Sequence, residues 1–338
     1  MDIKESILRF AQAKRAILSR DVAGHFGVSR QYASKILNNL VKQGLLMKRG
    51  STRASLYVSP AHVDSLRGTV HVKLKNKSLK EHEILEAIDR NQSFGLVLRE
   101  NVRSIFAYAF CEMLNNAIEH SRSSTIEIDV DKNQDLIFRV NDVGVGVFFN
   151  VMKKRRLQSE LEAIQDLLKG KMTTQPRFHS GEGIFFTSKI ADVFSLESHK
   201  HKLTIDNRIH DVFVEEVKHR KKGTKVRFQI GLKSKKHLSA VFKEYQTDPS
   251  EYAFDKTKVQ IRLYTLGILH VSRSQARRVL AGLEKFKLVI LDFDKVPAIG
   301  QAFADEIFRV FQNAHPSIEI RPTNMNEPVR FMVGRVGK

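Results

Sequence analysis

The stretch CEMLNNAIEHS, Cys111 to Ser121, carries Glu112, Asn116 and His120 at four-residue intervals behind an apolar run. At about 3.6 residues per turn, that spacing sets all three on one helical face in a shallow spiral. A glutamate so placed is a general base able to orient a water. An asparagine oxygen is a hard, neutral donor of the kind Mg²⁺ takes beside phosphate oxygens. The same spacing suits a solvated helix face, and His120 also suits a hydrogen bonder at a helix end. Three later stretches narrow the choice. VNDVGVGV delivers Asp142 at a strand end ahead of Gly144 and Gly146. A carboxylate there accepts a hydrogen bond from an exocyclic amine such as adenine's, and the glycines let backbone pass close to a ligand. HSGEGIFFTSKIAD sets Gly181 and Gly183 just before a helix, where free N–H groups and the helix dipole favour phosphate. KKGTKVRFQI opens a strand on Gly223 and Thr224. One glycine pair alone is an ordinary turn; the four stretches in this order are harder to explain that way.

These residues need a frame that gathers a helix face, a strand end, a helix start and a strand start. Apolar periodicity predicts helices over 81–90 and 101–121 and strands over 125–131 and 135–141. A polar helical segment over 150–170 and a helix over 183–192 follow, then strands over 193–198, 202–206, 211–218 and 224–230. The alternation is that of an α/β sandwich with mostly antiparallel strands. Cys111, the one cysteine, falls on the apolar part of its helix and reads as packing.

The order of these motifs resembles the GHKL ATPase superfamily, which includes gyrase-type ATPases, Hsp90, sensor histidine kinases and anti-sigma-factor kinases. Glu112, Asn116 and Ala117 match its Glu-x-x-x-Asn-Ala motif, and Asp142, Gly144 and Gly146 match Asp-x-Gly-x-Gly. Gly181 and Gly183 match the Gly-x-Gly that ends the ATP lid, and Gly223 with Thr224 matches the Gly-Thr strand start. The resemblance covers 83–232. It implies ATP as cofactor, with Asp142 on adenine, Asn116 on Mg²⁺ and Glu112 as the catalytic base. The implied lid, 147–180, carries Lys153, Lys154, Arg155, Arg156 and Lys171, of which most suit solvation. The chain departs from the family at Phe185, which stands where the last glycine of Gly-x-Gly-Leu-Gly belongs; phosphate positioning for turnover depends on that position.

Upstream, residues 3–18 have helical spacing, SRDVAGHFGV a short second helix, and SRQYASKILNNLVKQGLL a third opening on Ser29 as N-cap. That third helix is expected to set Tyr32, Ala33, Ile36, Leu37, Leu40 and Val41 on one side. MKRGSTRASLYVS adds a strand, a basic turn and a strand. The segment resembles a winged helix-turn-helix, which implies a third helix in the major groove of double-stranded DNA. Ser29, Arg30, Gln31, Ser34 and Lys35 on the helix, with Lys48, Arg49 and Arg53 on the wing, are the expected DNA contacts. Residues 1–60 hold 11 Lys/Arg against 3 Asp/Glu, a local charge of +8, which fits a phosphate backbone.

Downstream, KVQIRLYT reads as a strand, SRSQARRVLAGLEKF as a capped helix and KLVILDF as a central strand. IGQAFADEIFRVFQNAHP reads as an amphipathic helix and IEIRPTN as a closing strand. Residues 257–338 resemble a STAS-like domain. Where anti-sigma-factor antagonists of that fold carry a phosphorylated Ser, Ala298 to Glu306 holds neither Ser nor Thr. A phosphoryl switch is therefore not expected, and the domain reads as a packing or partner surface. Asp292, Asp294, Asp305 and Glu306 are expected to serve as caps and surface charges.

The expected architecture is thus multidomain α+β: a winged helix over 1–60, a linker over 61–82, a GHKL α/β sandwich over 83–232, a connector over 233–256 and a STAS-like α/β domain over 257–338. The net charge of +20, from 57 Lys/Arg against 37 Asp/Glu, points to a polyanionic partner. With no apolar run near the roughly 18–20 residues of a span, no signal-type start and a single cysteine, the expected compartment is the cytoplasm and no membrane partner is expected. The expected function is an ATP-responsive, DNA-binding transcriptional regulator, with a homodimer and a protein partner on the STAS-like domain among its assemblies. The alternative is a serine kinase of the anti-sigma type acting on a partner.

Overall fold

The computed structural model describes residues 3–14, 16–49, 55–60, 69–89, 98–170, 182–248, 250, 253–264 and 271–336. Its elements form three sheets with helices packed about them.

The N-terminal unit runs α1 (Ile3–Lys14), β1 (Ile17–Leu18), α2 (Ser19–Phe26), α3 (Arg30–Lys42), β2 (Met47–Arg49) and β3 (Leu56–Val58). The strands form one small sheet in the order β1-β3-β2. Ile7, Ala11, Val22, Ala33, Ile36, Leu37 and Leu40 build its core, because their helical spacing turns one stripe of each helix inward. Ser29 caps α3, its Oγ accepting from the Tyr32 N–H at 3.2 Å. Tyr32, expected on the packed side, is 47% exposed: it sits in the first turn, and Ala33 is the first residue of α3 to reach the core.

The central unit contains β4 (Thr69–Lys75), α4 (Glu81–Asp89), α5 (Glu100–His120), β5 (Thr125–Lys132), β6 (Asp135–Asp142), α6 (Val147–Arg155), α7 (Glu160–Lys169), α8 (Gly183–Ile190), β7 (Val193–Asp206), β8 (Asp211–Gly231) and α9 (Leu238–Glu244). The five strands are antiparallel in the order β4-β5-β6-β8-β7. The long helix α5 buries Val102, Ile105, Phe106, Ala109, Phe110, Met113 and Leu114. Phe106 packs on Phe138, which stacks on Phe228 with centroids 4.9 Å apart.

Three features differ from the sequence expectation. Strand β4 forms at GTVHVKL, the part of the linker with strand character, and pairs with β5, so the sheet reaches upstream of residue 83. The four short strands expected over 193–230 are two long ones, continuous through a bulge between Ser198 and His201 at which His199 has φ 51°. The polar segment over 150–170 splits at Arg156, which ends α6 in the left-handed region at φ 56°; Ser159 then caps α7 by accepting from the Glu162 N–H.

The C-terminal unit has β9 (Lys256–Gln260), α10 (Arg273–Leu280), β10 (Leu288–Asp292), α11 (Gln301–Asp305), a π-helical continuation (Glu306–Phe311), α12 (Gln312–Ala314), β11 (Glu319–Thr323) and α13 (Glu327–Val336). Its three strands are parallel, with β10 central. Ser272 and Gln275 form the capping box of α10. Asp305 pairs with Arg309, Glu306 with Arg277, and Asp292 with Lys258, so these acids are neutralised within the fold.

The central and C-terminal units share a core. Phe185 and Phe186 of α8 are buried against Tyr245 and Phe254 in the C-terminal cluster. Helix α7 is fastened to the same unit: the Gln165 amide donates to the Leu263 carbonyl at 2.7 Å, and the Tyr264 hydroxyl donates to the Gln165 carbonyl at 2.9 Å. The buried Lys169 donates to the carbonyls of Arg278 (3.0 Å) and Ala281 (2.7 Å) at the end of α10, a favourable place for a cation. Among the described residues, no helix is long and apolar enough to cross a membrane.

Candidate functional site

One cavity in the central unit gathers residues from α5, β6, α6, α8 and β8. Glu112, Asn116, His120, Asp142, Gly146, Gly183 and Thr224 all line it. Helix α5 supplies the first three from one face, as the four-residue spacing requires, while its opposite face is held in the core. The side-chain amide of Asn116 donates to the Glu112 carbonyl at 2.9 Å, which leaves Oδ1 as the atom to meet a cation.

Asp142 ends β6 and is 3% exposed. Burial raises its pKa above the usual carboxylate value, opposed by hydrogen bonds from the Gly144 N–H (2.8 Å) and Thr224 and by the charge of Lys221. Lys221 also donates to the Asp142 carbonyl at 3.2 Å. Thr224 ties the elements together, its Oγ1 accepting from the Val147 N–H at 2.9 Å. A carboxylate so enclosed is an acceptor aimed at an apolar-walled space.

Two glycines are dictated by contact. Gly223, at φ 76°, lies so close to Asp142 that a Cβ would sit 2.3 Å from its carbonyl oxygen and 2.6 Å from the Gly144 nitrogen. Gly183 opens α8 directly on Glu112; a Cβ there would lie 2.0 Å from the Glu112 carboxylate. The start of α8 and the acid of α5 are therefore in direct contact.

The cavity measures about 150 Å³, below the roughly 300–1,000 Å³ of a whole small-molecule pocket, and suits a ring-sized group. Its apolar wall includes Met113 of α5 with Val140, Leu196 and Val226, which strand alternation turns inward. Sequence reasoning missed Asn150 and Lys221: the first is one polar residue on a polar helix, the second one lysine in a basic run. Gly181 and Lys171 lie outside the described residues. Arg155 is engaged with Asp166 at 3.0 Å, and Lys153 lies over the Phe149 ring. Among the described residues, no group of three or more His, Cys, Asp or Glu is placed to hold a metal. Asn116 presents a side-chain amide oxygen on this face of α5, a hard, neutral donor type.

On α3, Arg30, Gln31 and Lys35 are exposed, Ser34 is half-buried, and the Ser29 hydroxyl is spent on the cap. Lys48 donates to Asn38 at 2.9 Å and lies over Tyr57, which fixes β2 against α3. The Arg49 side chain and all of Arg53 lie outside the described residues.

A family model for a STAS-like domain of unknown function (DUF4325) matches residues 275–330. The C-terminal unit is STAS-like. The match runs from α10 through the central strand β10 to α13. No curated protein and no solved structure matches the chain.

Proposed function

We propose that the chain is a DNA-binding regulator whose central unit holds ATP in a pocket of the GHKL kind. The observation that carries this reading is the convergence of Glu112, Asn116, Asp142, Gly146, Gly183 and Thr224, spread over more than a hundred positions, on a single cavity. In this reading Asp142 accepts from the adenine amine, held in register by Gly144, Gly223 and Thr224. Asn116 and the phosphates would hold Mg²⁺, which when bound neutralises phosphate charge. Glu112, against Gly183, orients a water or responds to the start of α8.

The N-terminal unit supports the DNA half of the proposal. Helices α2 and α3 precede a strand hairpin, as in a winged helix, and α3 exposes Arg30, Gln31 and Lys35. Arg and Gln can read base edges in pairs of hydrogen bonds, while Lys holds phosphates. A kinase acting on this chain's own STAS-like unit is disfavoured, because Ala298 to Glu306 offers no hydroxyl.

Calorimetry with ATP, with and without Mg²⁺, tests the pocket on the wild type and Asp142→Asn. The substitution should weaken binding by at least about tenfold, or 1.4 kcal/mol; equal affinities would remove the adenine assignment. Duplex DNA binding with and without ATP then separates the regulator from the kinase, which would instead yield a phosphorylated partner.

A further inference from the structure

Residues 218–225 read KHRKKGTK, five Lys/Arg with no acid among them. They lie on β8 where that strand leaves the register of its partner. Ser198 pairs with Thr224, His199 with Lys221 and His201 with Glu216. Positions 217 to 223 of β8 therefore run opposite His199 and Lys200 alone. Paired strands advance together at about 3.3 Å per residue, so the surplus residues cannot stay in the ladder and the chain bulges outward.

Lys221 turns inward, its ammonium donating to the Asp142 carbonyl at 3.2 Å and to the Lys222 carbonyl at 2.6 Å. Lys218, Arg220 and Lys222 do the opposite. All three are exposed, and among the described residues no carboxylate lies within ion-pairing distance of any of them. The acids of the adjoining ladder are engaged elsewhere: Glu215 pairs with Lys202 at 3.4 Å, and Glu160 holds both His199 and His201. Glu216, at the foot of the bulge, is the acid nearest along the chain.

Solvated surfaces ordinarily intersperse the two signs. Three unpaired cations this close repel one another, and a partner with closely spaced anions relieves that. Fully extended, Lys218 to Lys222 spans about 13 Å, or about four steps of a DNA strand, whose charges recur every ~3.4 Å of axis. A protruding two-stranded ribbon is also of a width that the major groove admits. An anionic membrane suits the bulge less, because membrane-binding surfaces insert an apolar face and Val217, the one apolar residue of the bulge, is half-buried. We propose that the basic bulge of β8 is a second contact for duplex DNA, on the central unit, with Lys218, Arg220 and Lys222 each meeting a backbone phosphate. Such contacts carry no sequence information, so this surface adds affinity without reading bases. None of the three lines the nucleotide cavity or belongs to α3, so the surface requires neither the ATP pocket nor the winged helix.

The test uses the full chain without nucleotide and a fluorescein-labelled duplex of arbitrary sequence, titrated by anisotropy from roughly 50 to 200 mM salt. Lys218→Gln, Arg220→Gln and Lys222→Gln combined should weaken binding by about tenfold or more and lower the slope of log K against log salt by about 2 to 3, since each phosphate contact contributes about 0.9. Glu216→Lys, which adds a cation at the foot of the bulge, should tighten binding. Circular dichroism follows the fold of each variant. Wild-type affinity and slope in the triple variant overturn the proposal, as does a loss of binding to poly-L-glutamate or phosphatidylserine vesicles with duplex affinity unchanged. Arg30→Ala with Lys35→Ala tests α3 apart: a loss there alone overturns the bulge and leaves the proposed function standing, whereas a loss in the triple variant alone supports the bulge and removes α3. Should the triple variant not fold, Glu216→Lys decides, and unchanged or weaker binding by it overturns the surface.

Discussion

Truncating Phe185 to alanine reaches two units at once. The residue belongs to α8, yet its ring is 2% exposed within the C-terminal cluster, with centroids 5.4, 4.9 and 4.8 Å from Phe186, Tyr245 and Phe254. Removing a buried phenylalanine ring costs about 3–5 kcal/mol through lost transfer energy and the cavity left behind. Tyr245 and Phe254 come from outside α8 and Phe186 is fixed in the same helix, so the site has little means of collapsing, and the upper half of that range is expected. Set against a typical stability of about 5–15 kcal/mol, the variant should fold but be markedly weakened; Phe185→Leu, which refills part of the space, should lose roughly 1–2 kcal/mol. Urea unfolding gives the total, and hydrogen exchange locates it. Peptides from α5 in the central unit and from β10 in the C-terminal unit should lose protection together. A loss below about 1 kcal/mol, or a loss confined to one unit, would refute the shared core.

Gly223→Ala should destabilise by more than about 3 kcal/mol, since the left-handed backbone costs roughly 1–2 kcal/mol and the new methyl overlaps the fixed backbone of Asp142 and Gly144; thermal denaturation measures it, and ATP binding should fall with it. Lys169→Met leaves Asp166 paired with Arg155 but strips the carbonyls of Arg278 and Ala281 of their donor, and should cost about 1.5–3 kcal/mol in the same assay. Lys189, whose pKa falls from the usual 10.5 to about 8 in the folded chain, binds fewer protons there than when unfolded across that window. The Lys189 contribution should therefore rise with pH from about 8 toward 10.5, against the opposite trend of Cys111, whose thiol is pushed up to about 11 by burial. The difference in denaturant midpoint between wild type and Lys189→Met at several pH values isolates it.

Much of the candidate site was legible because its residues announce themselves locally. The four-residue spacing on α5 fixes Glu112, Asn116 and His120 to one face whatever surrounds them, and an alternating strand ending at Asp142 points that carboxylate to the buried side. The long β7–β8 hairpin was not legible as such: the basic run about Arg220 and the bulge at His199 both break the alternation that marks a continuous strand. Strand β4 was signalled by GTVHVKL, but its polar outer face left it read as part of a connector and not as an edge of the central sheet. Helix α13 went unread, with Pro328 in its first turn, a place that tolerates proline because the missing N–H has no partner there. The packing of Phe185 and Phe186 had no local signal; it depends on contacts with residues some sixty to seventy positions away, such as Tyr245 and Phe254.

The aromatic seam also bears on how this chain can change over generations. Replacing its last eighty or so residues with an unrelated module would strip the cover from Phe185, Phe186 and Tyr245 and leave a sticky apolar patch of the sort that drives aggregation. A chimera joined at that seam should therefore aggregate unless the incoming module covers the same rings.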